Sequence, residues 1–205
     1  MPPVIHSYDP PDRFVAGTVG PPGQRTFFLQ ARAGTRLTSV ALEKQQVEIL
    51  GERVDELLDE LMQADPGAGA PGGDPSRPPI IPALTPAELV DSAPLDQPIE
   101  EEFRAGTITL SWDPEDARVV IEVFPVTDAE VPIETDEEQL LELPLAEPEP
   151  DEVFLVRLPA PMARAFATRT ASVVAAGREQ CQFCGGPIDP DGHLCPRANG
   201  FRRSR

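Results

Sequence analysis

No apolar run in this chain approaches the roughly 18 residues that cross a bilayer as a helix. The opening, "MPPVIHSYDPPDRFVAG", has no basic stretch followed by an apolar one, so no secretory leader is expected. The glycine-rich "GTVGPPGQR" lacks both G-x-G-x-x-G and GK[ST], which leaves a hairpin turn as its use. No catalytic triad, carboxylate pair or open metal site is legible in the spacing. The chain holds three cysteines, two histidines and a single lysine, Lys44. The expectation is a cytoplasmic protein, away from membranes, whose thiols stay reduced.

Proline and acid are plentiful instead. There are 26 prolines in 205 residues, more than twice the usual share of about 5%. Proline has no N–H and resists helix and sheet interiors, so much of the chain is turn, edge or linker. The formal net charge is −18. Residues 37–162 hold six basic residues against thirty acidic ones, while both flanking regions are net basic. An acidic body disfavours nucleic acid, whose binding requires neutralised phosphates.

The hydrophobic pattern predicts strands at 12–19, 26–32 and 35–42, then a helix over 43–62. Val47, Leu50, Val54, Leu57, Leu58 and Leu61 recur at three- and four-residue steps, which makes one apolar helix face. Strands follow at 102–113, 117–126 and 153–158. A helix over 159–177 opens on proline and closes on glycine. "RFVAGT" and "EFRAGT" head two similar runs of elements, with Phe14, Ala16, Gly17 and Thr18 matched by Phe103, Ala105, Gly106 and Thr107. The fold expected is α+β: two duplicated βββα units forming one antiparallel sheet with helices on one face. The domain map is 1–63 for the first half, a Pro/Gly-rich linker over 64–101, 102–178 for the second half, and 179–205 for a zinc knuckle with a basic tail. An acidic insert at 128–152 is expected to be solvated and mobile.

Every cysteine lies in "CQFCGGPIDPDGHLC", as C-x2-C-x8-H-x-C. A two-residue gap lets a tight turn aim Cys181 and Cys184 at one point. "DPDG" returns the chain, and His193 and Cys195, two apart, share one side of an extended segment. Cys181, Cys184, His193 and Cys195 form the ligand set of a structural tetrahedral zinc site. A Cys181–Cys184 disulfide is an alternative, as are unligated thiols, and Asp189 or Asp191 is a poorer substitute ligand. Three thiolates and a full shell leave such a zinc no open position for water, and the histidine lacks the H-x-E of zinc deaminases.

The chain resembles an uncharacterised actinobacterial family, domain of unknown function 3090. The resemblance is carried by "PDRFVAGTVGPPGQRTFFLQA", "VALEKQQVEIL", "EFRAGT", "VTDAE", "ARAFATR" and the ending "CQFCGGPIDPDGHLCPRANGFRR". It implies no assigned activity. Neighbouring genes for histidine-phosphatase-like and phosphatidylinositol-kinase-like proteins imply a shared pathway, without a particular chemistry.

Two functions are open at this point. The first is a non-enzymatic zinc-containing adaptor or regulator that docks a protein partner. The second is an enzyme or ligand-binding subunit with an anion pocket between the two halves, lined by Arg13, Arg25, Lys44 and Arg104 and linked to phosphate metabolism. The competing use of those cations is pairing with the acidic middle. His6 has no motif partner and is expected in a surface or capping role.

Overall fold

The computed structural model describes residues 3–21, 23–64, 81–126 and 151–176, together with Cys181, Phe183, Cys184, Cys195 and Arg197. Residues 128–150 of the expected acidic insert and residues 65–80 of the expected linker lie outside these residues. Seven strands and two helices follow one another as β1 (Val4–Tyr8), β2 (Arg13–Val19), β3 (Thr26–Ala33), β4 (Arg36–Leu42), α1 (Lys44–Ala64), β5 (Glu101–Asp113), β6 (Arg118–Pro125), β7 (Glu152–Pro159) and α2 (Ala160–Ala175). A short 3-10 turn at Ala87–Leu89 interrupts the stretch between α1 and β5.

All seven strands form one sheet in the order β1-β7-β6-β5-β4-β3-β2. The sheet is mixed, which corrects the expected antiparallel one: β1 runs parallel to β7, and β4 parallel to β5. The reason lies in the connections. Hairpins join β2 to β3, β3 to β4 and β5 to β6, and these pairs are antiparallel. A chain that leaves β4, runs along α1 and returns through residues 81–100 re-enters β5 in the sense of β4, as a crossover does. The order βββα thus occurs twice, and the sheet sets the two runs side by side in the same sense.

The turns follow from local chemistry. Gly20 and Gly23 have φ of +103° and +96°, which other residues rarely adopt, and they bracket the β2–β3 turn. At the β5–β6 turn the Asp113 carboxylate accepts the N–H of Glu115 at 2.9 Å, an Asx turn. At the start of α1 the Gln46 side chain accepts the Glu43 N–H at 2.9 Å, half of a capping box. The same amide donates to the carbonyls of Ala105 and Gly106 and so fixes α1 to the irregular part of β5.

Both helices pack on one face of the sheet. Val47, Leu50, Val54 and Leu58 of α1 and Phe166, Ala167 and Val174 of α2 share a core with Phe14, Leu29, Val40, Ile121, Phe154 and Leu158. Phe14 and Phe166 stack at 4.6 Å between centroids. Close helix approach explains Gly51 in α1, because a Cβ there would lie 2.7 Å from Thr170 Cγ2 of α2. The opposite face carries a smaller cluster of Val15, Phe28, Ala41 and Leu95.

Residues 81–100, within the stretch read as linker, are held against the fold. Ile81 is buried on the helix side and Leu95 on the other side. Along the segment, Arg13 and Arg169 grip Asp91, and Gln30 exchanges hydrogen bonds with the Asp96 backbone. The segment therefore passes round β2, the edge strand, and covers an edge that would otherwise invite pairing.

At the other edge the sheet curls. Tyr8 of β1 donates or accepts a hydrogen bond with Thr38 of β4 at 2.8 Å, and Arg36 donates to the Ser7 carbonyl while its guanidinium lies over the Tyr8 ring. Strand β1 was absent from the sequence reading. No helix among the described residues is long and apolar enough to cross a membrane.

Candidate metal centre

Cys181 and Cys195 are buried and Cys184 is half-buried. The three sulfurs lie within 4.8 Å of one another, and Cys181 Sγ stands 3.7 Å from Cys195 Sγ. Sulfurs bonded to one another would be about 2.05 Å apart, so these are not a disulfide. Sulfurs sharing one tetrahedral zinc through bonds of about 2.3 Å would be about 3.8 Å apart. A separation of 3.7 Å lets Cys181 and Cys195 share one ion, and the three clustered thiols could hold a metal.

The electrostatics agree. The N–H of Cys184 and that of Phe183 point at the Cys181 sulfur, and with help from the neighbouring thiols they pull the Cys181 thiol down from 9.0 to about 7. A thiol in that state gives up its proton to a metal readily. Arg197 donates to the Phe183 carbonyl at 3.1 Å and ties the Cys195 side of the cluster to the Cys181 side. The residues present fit a soft or borderline ion such as zinc. His193, Asp189 and Asp191 lie outside the described residues, as do the glycines after Cys184.

The four cations expected to line an anion pocket stand apart. Arg13 on β2 makes a two-pronged pair with Asp91, at 2.6 and 3.1 Å, and meets Asp96 at 3.2 Å. Arg25 donates to the Ala176 carbonyl at the end of α2. Arg104 on β5 pairs with Glu43 at 3.1 Å and with Glu101 at 3.6 Å. Lys44 is exposed at the first turn of α1. Register places Arg104 level with Gly17, three strands from β2 and four residues from Arg13, so their backbones are roughly 20 Å apart. Only Arg13 of the four lines the cavity of about 480 Å³ between β2, α2 and residues 88–93, where Asp91, Phe166 and Arg169 join it.

The sequence reading missed Arg169, whose guanidinium donates to the Ala16, Asp91 and Ala93 carbonyls and to the Asp91 carboxylate. It also missed Arg164, buried against Asp55 and Asp59 of α1. Five residues apart, they leave α2 on different sides, and their partners lie about 80 and 105 residues away in sequence.

No curated protein and no solved structure matches the chain. A family described as Protein of unknown function (DUF3090) matches residues 6–195, nearly the whole length and both ends of the cysteine cluster, and the chain belongs to that family.

Proposed function

We propose that this protein is a non-enzymatic adaptor or regulator whose C-terminal segment is shaped by one structural zinc ion. The observation that carries the reading is the gathering of all three sulfurs within 4.8 Å, with Cys181 and Cys195 3.7 Å apart. His193 supplies the fourth ligand, two residues before Cys195, and four protein ligands leave no position for a reacting water. The zinc then holds an exposed Phe183, 67% accessible, beside Arg197 as a docking surface for a partner protein. The αβ body serves as the scaffold, and its two βββα runs are copies of one unit.

Metal analysis tests this. Purified protein should carry about one zinc per chain, as a Cys3His site binds one ion. Cys184→Ser and His193→Ala should each lose it, and Phe183→Ala should keep zinc while losing a partner captured by the wild type. A wild-type chain free of zinc after expression in zinc-supplemented medium would overturn the metal reading. Retention of every captured partner by Phe183→Ala would overturn the docking surface.

A further inference from the structure

A second set of metal-ligand side chains lies far from the cysteines in sequence. His6 of β1, Glu152 of β7 and Glu102 of β5 each bring one ligand atom to a common point, all within 4.8 Å of one another. His6 Nε2 is 3.7 Å from Glu152 Oε2 and 3.9 Å from Glu102 Oε1. In the β1–β7 register Val4 faces Glu152 and His6 faces Phe154. Alternation along a strand then puts His6 and Glu152 on the face that carries the buried Phe154 and Tyr8. The cluster therefore sits at the rim of the core, where the curl of the sheet returns β1 to the start of β5.

The distances are informative. A hydrogen bond between imidazole and carboxylate would be about 2.7–3.2 Å, and both separations exceed it. His6 Nε2 and Glu152 Oε2 are also each shut off from solvent and without a hydrogen-bond partner. Leaving a buried polar atom unsatisfied is costly, and here two face each other. Ligand atoms on a shared ion with bonds of about 2.1 Å lie about 3.0–3.4 Å apart, so the side chains would close in by roughly 0.3–0.9 Å on binding one. One ion at the centre would satisfy both orphaned atoms and offset the repulsion between the two carboxylates.

We propose that His6, Glu102 and Glu152 form a binding site for a first-row divalent cation of the Mn²⁺ class. One imidazole and two carboxylates suit such an ion, where hard oxygen predominates and no thiolate competes. Three protein ligands leave open positions for water or for an oxygen-bearing ligand. The site differs in chemistry from the cysteine cluster, and neither depends on the other.

Titration of the full-length protein with Mn²⁺, followed by the loss of the free-ion paramagnetic resonance signal, tests the site. The wild type should bind one Mn²⁺ per chain. Glu102→Gln, which changes a half-exposed side chain, and His6→Ala should weaken binding at least as much as the roughly 10–100-fold lost with an outer-shell partner. Cys184→Ser should bind Mn²⁺ as the wild type does. Circular dichroism checks that each variant is folded. A folded wild type that leaves the Mn²⁺ signal unchanged overturns the proposal, as does equal binding by Glu102→Gln and His6→Ala. An imidazolium at His6, seen as two protonated ring nitrogens by nitrogen NMR at neutral pH in the presence of the metal, would show an ion pair in place of a cation site.

Discussion

Replacing Asp91 by Asn tests how residues 81–100 are held. The Asp91 carboxylate accepts Arg13 Nε at 2.6 Å and Nη2 at 3.1 Å, Arg169 Nη1 at 2.8 Å and the Ala93 N–H at 2.9 Å. The two guanidinium groups are only 11% and 9% exposed, so water replaces little of what is lost. The amide keeps the shape and one acceptor oxygen but loses the charge. Hydrogen bonds to charged groups contribute about 1.5–3 kcal/mol each. Both arginines retain backbone carbonyls and Arg13 retains Asp96, so the net loss is about 2–3 kcal/mol. For a chain of this size that lowers the thermal midpoint by about 4–12 °C. The pH dependence has a definite sign. The Arg13 hydrogen bonds hold the Asp91 carboxyl below its ordinary value of 3.8. Its contribution is complete above the unfolded-state value near 4 and fades as pH falls through the lower folded-state value. Thermal melts of both proteins should therefore differ at neutral pH and converge under strong acid. A midpoint within 1 °C of wild type at pH 7, to order of magnitude a loss under 0.5 kcal/mol, would refute the claim that this carboxylate fastens the segment.

Two further outcomes follow from other contacts. Gly51→Ala gains about 1 kcal/mol of helix propensity but forces a Cβ to 2.7 Å from Thr170 Cγ2, and overpacking of this kind costs about 1–3 kcal/mol. Urea denaturation should show a net loss that Thr170→Ser, which lacks Cγ2, restores in the double variant; a more stable Gly51→Ala would refute the helix contact. Metal affinity at the cysteine cluster should depend on pH through Cys181, whose thiol is lowered to about 7. Above that pH the metal displaces no proton from this sulfur; below it, chelator competition should show affinity falling about tenfold per pH unit from this group alone.

The elements with local signals were legible in the sequence. The apolar steps of α1 and the patterning of β2 to β7 rest on neighbours within a few residues, and the structure places those elements within two residues of where the pattern put them. The short "VIHSY" gives little signal because only six residues stand between Pro3 and Pro10, and its partner β7 begins near residue 152. The antiparallel expectation failed at the two joins made by distant segments. The same distinction applies to the sites. Cys181, Cys184 and Cys195 lie within fifteen residues of chain, so spacing alone announced them. His6, Glu102 and Glu152 are brought together only by the curl of the sheet, and nothing beside His6 in sequence marks it. Arg13 was visible as a cation, but its partner Asp91 lies 78 residues away.

The parallel pairing of β1 with β7 sets an order of events during synthesis. Val4 meets Glu152 and Tyr8 meets Val156, so β1 has no partner at this edge until β7 has left the ribosome. At about 5–20 residues per second, that wait is roughly 10–30 s. The hairpins of β2, β3 and β4 form early within that time, whereas Tyr8 must remain outside its pocket beside Thr38 and Phe154. Closure of the core at this edge is thereby tied to synthesis of β7, and a nascent chain cut short before residue 152 would carry β1 unpaired for quality-control proteases to find.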